Sequence, residues 1–434
     1  MSKLIYFLLL TYFILIPFDG IVAFLSLKTG LEIILGWEIL LSLFCLYLIV
    51  ILYLGKGKFF AFSLSVTRGI AALIIYLMFF SIPIGIFDHG MWQTLWGIKL
   101  VLMPIVIFYL VFLIYPFSFK KFTENVIKIY FCLFIPIFII GIWENYLGVS
   151  FLTDVLGIPY GERFLKISRI QGFYRTIATF RQPYDFGFFS FLISVFALCG
   201  LVIKPKNNRI WNLVFLILGL YSLFLSTTRT VILSFAYIIF ILIFASIGIR
   251  FFKSKRATMF LLFLSSLVVI LVIFLLSVRS IFVYNEFFLF STTSIGERFI
   301  HWTDALKTFS LDNFFRLLLG YGIGAIGSAQ LKINPIDYNP VDNMYIYLII
   351  NFGLIGTILL LLIMLNTLIT AFSKIKTVDW IHTGFLLVIA SMVFIQSFFV
   401  SYAEGLLSWG IFWLGILYLR YGILVEPPES PQKL

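Results

Sequence analysis

Charged residues are scarce in this chain, at 12% of 434 residues against about 25% in a typical soluble domain. Hydrophobic residues make up 62% of the sequence. One core cannot bury that much apolar surface, so the soluble globular, disordered and collagen-like classes are excluded. The class that remains is a polytopic membrane protein, whose solvent is lipid.

Cysteine and histidine are also rare, with three of each in the chain. The cysteines lie in apolar runs, where a thiol acts as a small buried hydrophobe, so no disulfide framework is predicted. His89, His301 and His382 are far apart in the sequence. Because a zinc site needs three or four ligands, we predict no metal and no cofactor.

Long apolar runs are what the sequence has in abundance. They are continuous over about twenty residues, which indicates spanning helices and not barrel strands with alternating polarity. We predict an all-α polytopic membrane protein of about twelve transmembrane helices. The predicted spans are 4–23, 31–54, 67–87, 92–115, 126–143, 186–203, 210–226, 230–249, 257–278, 343–372, 383–402 and 405–424.

The net charge of +12 is explained first by topology. Each even-numbered span up to span ten is followed by a loop rich in Lys and Arg, which predicts that these loops and both termini are cytoplasmic. No nucleic-acid partner is implied. The predicted organisation is 1–143 (spans one to five), 144–185 (an external loop), 186–278 (spans six to nine), 279–342 (a large external loop), 343–424 (spans ten to twelve) and 425–434 (a cytoplasmic tail).

The two long external loops carry several arginines, among them Arg175, Arg181 and Arg298. Loops of this length are usually functional, and 296–311 has a helical pattern of its own. Each arginine could belong to a solvated, salt-bridged surface or could bind substrate. Arg229 stands out because it follows hydroxyl residues in a tight turn with no acid nearby in sequence. Its fork-shaped side chain suits a pyrophosphate.

Two further segments of the large loop are candidates. Residues 320–327 contain a literal G-x-G-x-x-G, but the strand and crossover of a dinucleotide site are missing. We predict a glycine-rich turn before a re-entering chain, with the amides of Gly322 and Gly324 available to an anionic ligand. Asp342 and Asn343 stand at a helix start, where both are good N-caps. The Asp342 carboxylate could instead, or also, act as a general base.

Taken together, these segments resemble the O-antigen polymerase and O-antigen ligase superfamily of bacterial membrane enzymes. Twelve spans also fit this superfamily, whereas the first 140 residues match it only in hydropathy. The resemblance is carried by 175–187, by the Ser-Thr-Thr-Arg-Thr turn at 226–230, by 298–302 with 320–324, and by 342–345 with 353–356.

The resemblance implies a metal-independent, C-type glycosyltransferase that uses polyprenyl-pyrophosphate-linked oligosaccharide as donor. It places Arg229 and Arg298 on the pyrophosphate, with Arg175 and Arg181 as secondary contacts and Asp342 as candidate base. Ligases of this family usually carry His-Asn where this chain has Asp342-Asn343, so we favour a polymerase for O-antigen, capsule or exopolysaccharide. A ligase, or a transporter or flippase of lipid-linked sugars, is the alternative.

The same resemblance implies a location and partners. The protein is expected in the bacterial cytoplasmic (inner) membrane as a multi-pass protein, acting at the external face on a lipid-linked repeat unit. A flippase and a chain-length regulator are the protein partners that it suggests. Asn343, Gly322 and Gly324 are expected to contribute to substrate binding.

The predicted topology places 250–256 in the cytoplasm and 280–342 outside. In intact cells, an impermeant thiol reagent is expected to leave Lys253→Cys unlabelled and to label a cysteine placed in 280–342. Labelling at position 253 would contradict the whole topology.

Overall fold

The computed structural model describes residues 3–22, 47, 61–114, 116–148, 169–170, 173–180, 182–203, 209–252, 292–309, 313–333, 341–373 and 379–424. Apart from one short hairpin, the regular structure in these residues is helical. The elements are α1 (Lys3–Leu15), α2 (Ala61–Tyr76), α3 (Ile82–His89), α4 (Met91–Gly97), α5 (Met103–Ile114), α6 (Pro116–Leu147), β1 (Arg169–Ile170), β2 (Phe173–Tyr174), α7 (Pro183–Ile203), α8 (Arg209–Ser226), α9 (Arg229–Phe252), α10 (Thr292–Thr308), α11 (Phe314–Leu319), α12 (Ser328–Ile333), α13 (Met344–Ser373), α14 (Trp380–Phe394) and α15 (Leu406–Leu424).

The helices confirm an all-helical membrane architecture. Eight helical stretches in the described residues are long and apolar enough to cross a membrane, and two shorter apolar helices accompany them. Ten predicted spans coincide with these helices, whereas 257–278 and, apart from residue 47, 31–54 lie outside the described residues. The total of twelve spans and their orientation therefore stay predictions. The predicted helix at 296–311 is present as α10.

The described chain forms two compact units, and neither is continuous in sequence. The first comprises Met1–Phe60, Leu110–Ile232 and Asp379–Val388, and the second comprises Ala61–Tyr109, Leu233–Val378 and Ile389–Leu434. The predicted organisation into consecutive spans and loops describes the path of the chain through the membrane, and it stays a prediction.

Phenylalanine dominates the core of the first unit. Helix α7 packs against α6 and α8, and most of its side chains are buried. The Tyr130 and Phe189 rings meet edge to face at 5.2 Å, and those of Phe131 and Phe215 do so at 4.9 Å. Such pairs add to the hydrophobic burial of each ring.

The second unit is organised around a break in α13. Gly353 has φ 61° and ψ −173°, a conformation essentially restricted to glycine, and it interrupts the helix. The carbonyls just before the break accept hydrogen bonds from outside the helix. Ile350 O accepts from Tyr321 N at 2.8 Å, Asn351 O accepts from Gly322 N at 3.0 Å, and Phe352 O accepts from the Tyr76 hydroxyl at 2.7 Å.

The segment whose amides bond to the broken part of α13, 320–327, is called the glycine segment below. The two amides after Tyr321 N and Gly322 N are also paired. Ile323 N donates to Ser81 O, and Gly324 N donates to the Asn351 side-chain oxygen at 3.1 Å. Every residue of the segment except Tyr321 is buried. Non-helical backbone is tolerated in a membrane protein only where the protein itself satisfies it, which is what these bonds achieve.

Helices α3 and α4 hold the other side of the glycine segment. A β-carbon on Gly322 would collide with the backbone of Gly85, and one on Gly97 would lie 2.6 Å from Gly324 N. Two π-helical stretches, Leu77–Ser81 and Ile98–Leu102, adjoin these contacts. Backbone therefore packs directly on backbone, which explains why glycine is required at these positions.

The break at Gly353 predicts a matched pair of stability effects. Gly90 shares the backbone region of Gly353, with φ 84° and ψ 166°, but a β-carbon there would meet nothing within 4 Å. We expect Gly90→Ala to cost about 1–3 kcal/mol from backbone strain alone. Gly353→Ala should cost about 1–3 kcal/mol more, because its β-carbon would overlap the Leu318 carbonyl. Thermal unfolding of the purified protein in detergent measures both, and equal destabilisation would contradict this account.

Candidate functional site

The start of α13 brings two predicted site residues together. Arg298 lies in the first half of α10, and Asp342 stands two residues before α13 begins. Arg298 Nε and Asp342 Oδ2 are 3.7 Å apart, and the two side chains are 30% and 60% exposed. A pair this open and this long is weak, so both groups can turn towards a ligand.

Asn343 supplies the N-cap of α13. Its side-chain oxygen accepts from the amides of Tyr345 at 3.0 Å and Ile346 at 3.1 Å, while its side-chain nitrogen donates to Phe398 O at 3.3 Å. Both ends of this buried amide therefore serve the fold. Of the two caps that the sequence allowed, the structure uses Asn343 and leaves the Asp342 carboxylate outside the helix end.

One wall of this site comes from the irregular chain that follows α14. That helix ends at Phe394, and a single 3₁₀ turn, Gln396–Phe398, follows within the predicted span 383–402. The Arg298 guanidinium lies 5.9 Å from the centre of the Phe399 ring. An aromatic face close to a cation adds a modest attraction and helps to orient the guanidinium.

The glycine segment lies in the second unit, as Arg298 and Asp342 do. Its backbone amides are less available to a ligand than the sequence suggested. The amides of Gly322 and Gly324 both donate to Asn351, and both residues are buried. Their role in this structure is close backbone packing. Their assignment to substrate stays a sequence-based prediction.

The first unit carries Arg175 and Arg229. Arg175 is half-buried, directly after β2, and Thr176 N donates to Leu225 O at 3.2 Å at the end of α8. This bond ties the chain next to Arg175 to the turn that precedes Arg229. Arg181 lies outside the described residues.

The turn before Arg229 is fixed by its hydroxyl residues. Thr227 has a positive φ of 47°, which is unusual for a β-branched residue and indicates a tightly determined turn. The Thr228 hydroxyl donates to Pro183 O at 3.2 Å, and Gly187 leaves room for the side chains of Ser226 and Thr228. Arg229 begins α9 and is half-buried.

The sequence analysis missed Glu144, which is fully buried in α6. Its carboxylate accepts from Ile177 N at 3.1 Å and from Ala178 N at 2.5 Å. Ala178 has a positive φ of 53°, and two consecutive amides converge on the acid. A glutamate near the end of an apolar run was the available signal. Its partners lie more than thirty residues away, so spacing could not identify them.

Within the described ranges, no group of three or more His, Cys, Asp or Glu side chains is arranged to hold a metal ion. The predicted independence from metal stays a prediction. Three of the predicted arginines, Arg175, Arg229 and Arg298, are half-buried in this part of the chain.

A comparison with known families gives a match over part of the chain. Residues 213–361 match the family described as O-antigen ligase, which confirms the resemblance to the O-antigen polymerase and ligase superfamily. The matched stretch contains Arg229, Arg298, the glycine segment and Asp342. Members of this family are glycosyltransferase-like enzymes. A comparison with curated proteins finds no match.

The capping geometry predicts unequal effects on stability for two neighbouring residues. Asn343→Ala removes the oxygen that serves two amides, and we expect it to cost about 0.5–2 kcal/mol. Asp342→Ala removes an exposed, weakly paired carboxylate and should change stability by less than about 0.5 kcal/mol. Thermal unfolding in detergent compares them directly. If Asp342→Ala is the more destabilised variant, the cap is assigned to the wrong residue.

Proposed function

We propose that this protein is a polysaccharide polymerase. It transfers a polyprenyl-pyrophosphate-linked oligosaccharide onto another lipid-linked repeat unit at the external face of the cytoplasmic membrane. The observation that carries the proposal is the Arg298–Asp342 pair. A cation and a carboxylate are held side by side at the mouth of α13, and Asn343 makes the capping bonds that Asp342 would otherwise make.

The proposed reaction needs two groups that this pair supplies. In glycosyl transfer, the bond between the donor sugar's anomeric carbon and the pyrophosphate oxygen breaks, and a bond to the acceptor oxygen forms. Asp342 takes the proton from the acceptor hydroxyl, which makes that oxygen a better nucleophile. Arg298 stabilises the negative charge that develops on the departing polyprenyl pyrophosphate.

The remaining predicted arginines are assigned to the substrate from their sequence motifs. Arg229, with Arg175 and Arg181 as secondary contacts, is assigned to the pyrophosphate because of the motifs that contain these residues. Arginine is suited to the task because its planar fork binds phosphate oxygens in pairs. The fixed turns around Arg175 and Arg229 are the structural support for this assignment.

A ligase is the second candidate, and the family match favours it as much as it favours a polymerase. The two activities differ in their acceptor. Purified protein in liposomes should lengthen lipid-linked repeat units when no other acceptor is present. If product forms only after addition of an acceptor that is not a lipid-linked repeat unit, the protein is a ligase.

The role of Asp342 as a base predicts a loss of rate without a loss of fold. We expect Asp342→Asn to lower polymerisation of purified lipid-linked repeats by about 10²–10⁴-fold, because an amide cannot accept the proton. Asp304→Asn is the matched control, since Asp304 is an exposed acid on the same α10 as Arg298. It should retain normal activity. Near-normal rates for Asp342→Asn would remove Asp342 from the mechanism.

The role of Arg298 predicts a graded response. Loss of one hydrogen bond to a charged group costs about 1.5–3 kcal/mol, so Arg298→Ala should slow the reaction by about 10–150-fold. Arg298→Lys should recover only part of the rate, because it provides a point charge and not a fork. Initial rates in liposomes, with protein amounts matched, measure the difference. Equal activity of the Ala and Lys variants would show that charge at this position does not matter.

A further inference from the structure

Large apolar side chains are exposed around the turn between α3 and α4 and on the neighbouring α11. The exposed fractions are 88% for Phe87, 72% for Trp92 and 69% for Phe315. Met91 and Phe314 are exposed to a similar degree. These five residues are called the aromatic rim below. An exposed apolar cluster of this kind marks a surface that meets something other than water.

The candidate span Thr67–His89, which leads to this rim, indicates where the hydrocarbon layer of the bilayer ends. Along Thr67–His89, a candidate membrane span, exposed apolar residues recur at Ile75, Met78, Phe79 and Ile86, which is a helical spacing. Because the segment is long and apolar enough to span, this stripe faces lipid. It continues to Phe87, and the next two residues are Asp88 and His89. The hydrocarbon boundary on this helix therefore lies close to residue 87.

A bidentate ion pair holds α11 at the depth of Asp88, next to the end of this span. The Arg316 guanidinium contacts the two oxygens of Asp88, at 2.5 Å and 2.9 Å. It also lies 5.0 Å from the centre of the Tyr321 ring. Phe314 and Phe315 are within two residues of Arg316, or about 3 Å along the helix axis. Both phenylalanines therefore lie near the depth of Asp88.

We propose that α11 is an interfacial helix, and that the aromatic rim inserts into the lipid bilayer at the boundary between hydrocarbon and headgroups. Aromatic side chains favour this boundary, and short amphipathic segments bind there through their apolar face. Lipid is the occupant because the rim continues the lipid-facing stripe of Thr67–His89. The Asp88–Arg316 pair meets the headgroup layer, where both charges can stay hydrated.

This inference concerns how the connection between α10 and α13 is held on the membrane surface. It goes beyond the proposed glycosyl transfer and does not depend on it. The anchored α11 leads directly into the glycine segment, so one end of that buried segment is fixed at the level of the bilayer surface.

Spin-label accessibility tests the proposal without an activity assay. The three cysteines are replaced by alanine, and Phe314→Cys and Phe315→Cys are labelled singly with a nitroxide in lipid nanodiscs that hold one copy. Met78→Cys is the hydrocarbon reference, and Thr308→Cys, on the exposed end of α10, is the water reference. We expect the ratio of oxygen to nickel-chelate accessibility at 314 and 315 to lie between the two references.

Two results would overturn the proposal. A ratio equal to that at Thr308 places α11 in water, and low accessibility to both reagents means that protein covers it. The unsubstituted chain provides a second measurement that needs no cysteine replacement. A lipid-soluble diazirine should label the peptide with Phe314 and Phe315 as it labels the peptide with Met78. Absence of label there, with label at Met78, would also contradict the proposal.

Discussion

The second unit depends on one constraint: every backbone amide and carbonyl in an apolar interior needs a partner. The break at Gly353 frees three carbonyls of α13, and the glycine segment and Tyr76 provide their donors. The amides of Tyr321, Gly322, Ile323 and Gly324 all find acceptors in turn. Neither the broken helix nor the inserted segment could be stable without the other. The glycines follow from this arrangement, because any β-carbon would separate the backbones.

The same constraint determines how the candidate site is built. The glycine segment joins α13 to α3 and α4, and α11 immediately precedes it in the chain. Asn343 fixes the start of α13 to Phe398 O and to its own first turn. With these bonds made, the Asp342 carboxylate has, among the described residues, only a loose contact with Arg298 at 3.7 Å. An accessible carboxylate next to a well-fixed helix start is an arrangement in which a general base can reach an acceptor hydroxyl.

Hydropathy predicted the helices well because burial in lipid sets both their length and their composition. It could not predict the break at Gly353, since α13 has no charged residue and glycine also occurs inside intact membrane helices. The sequence offered Asp342 and Asn343 as equal caps, and only the positions of Tyr345 N and Ile346 N distinguish them. The buried role of Glu144 was not predicted, for a related reason. Its partners are backbone amides, which carry no signal in the sequence.

Four acids of the described chain differ in how far their carboxylates are engaged by the fold. Glu144 is fully buried and accepts hydrogen bonds from two amides. Asp88 forms a bidentate ion pair with Arg316. The carboxylate oxygens of both acids are therefore already bonded within the fold. Asp304 is exposed like Asp342, but no ion pair to an arginine is found for it among the described residues. Asp342 alone of these four combines an accessible carboxylate with a neighbouring guanidinium. A base must receive a proton from a substrate that approaches from outside while a cation stands ready for the leaving group. A buried Asp342 could not reach the substrate's proton, and an Asp342 without a neighbouring arginine would lack the cation for the leaving group.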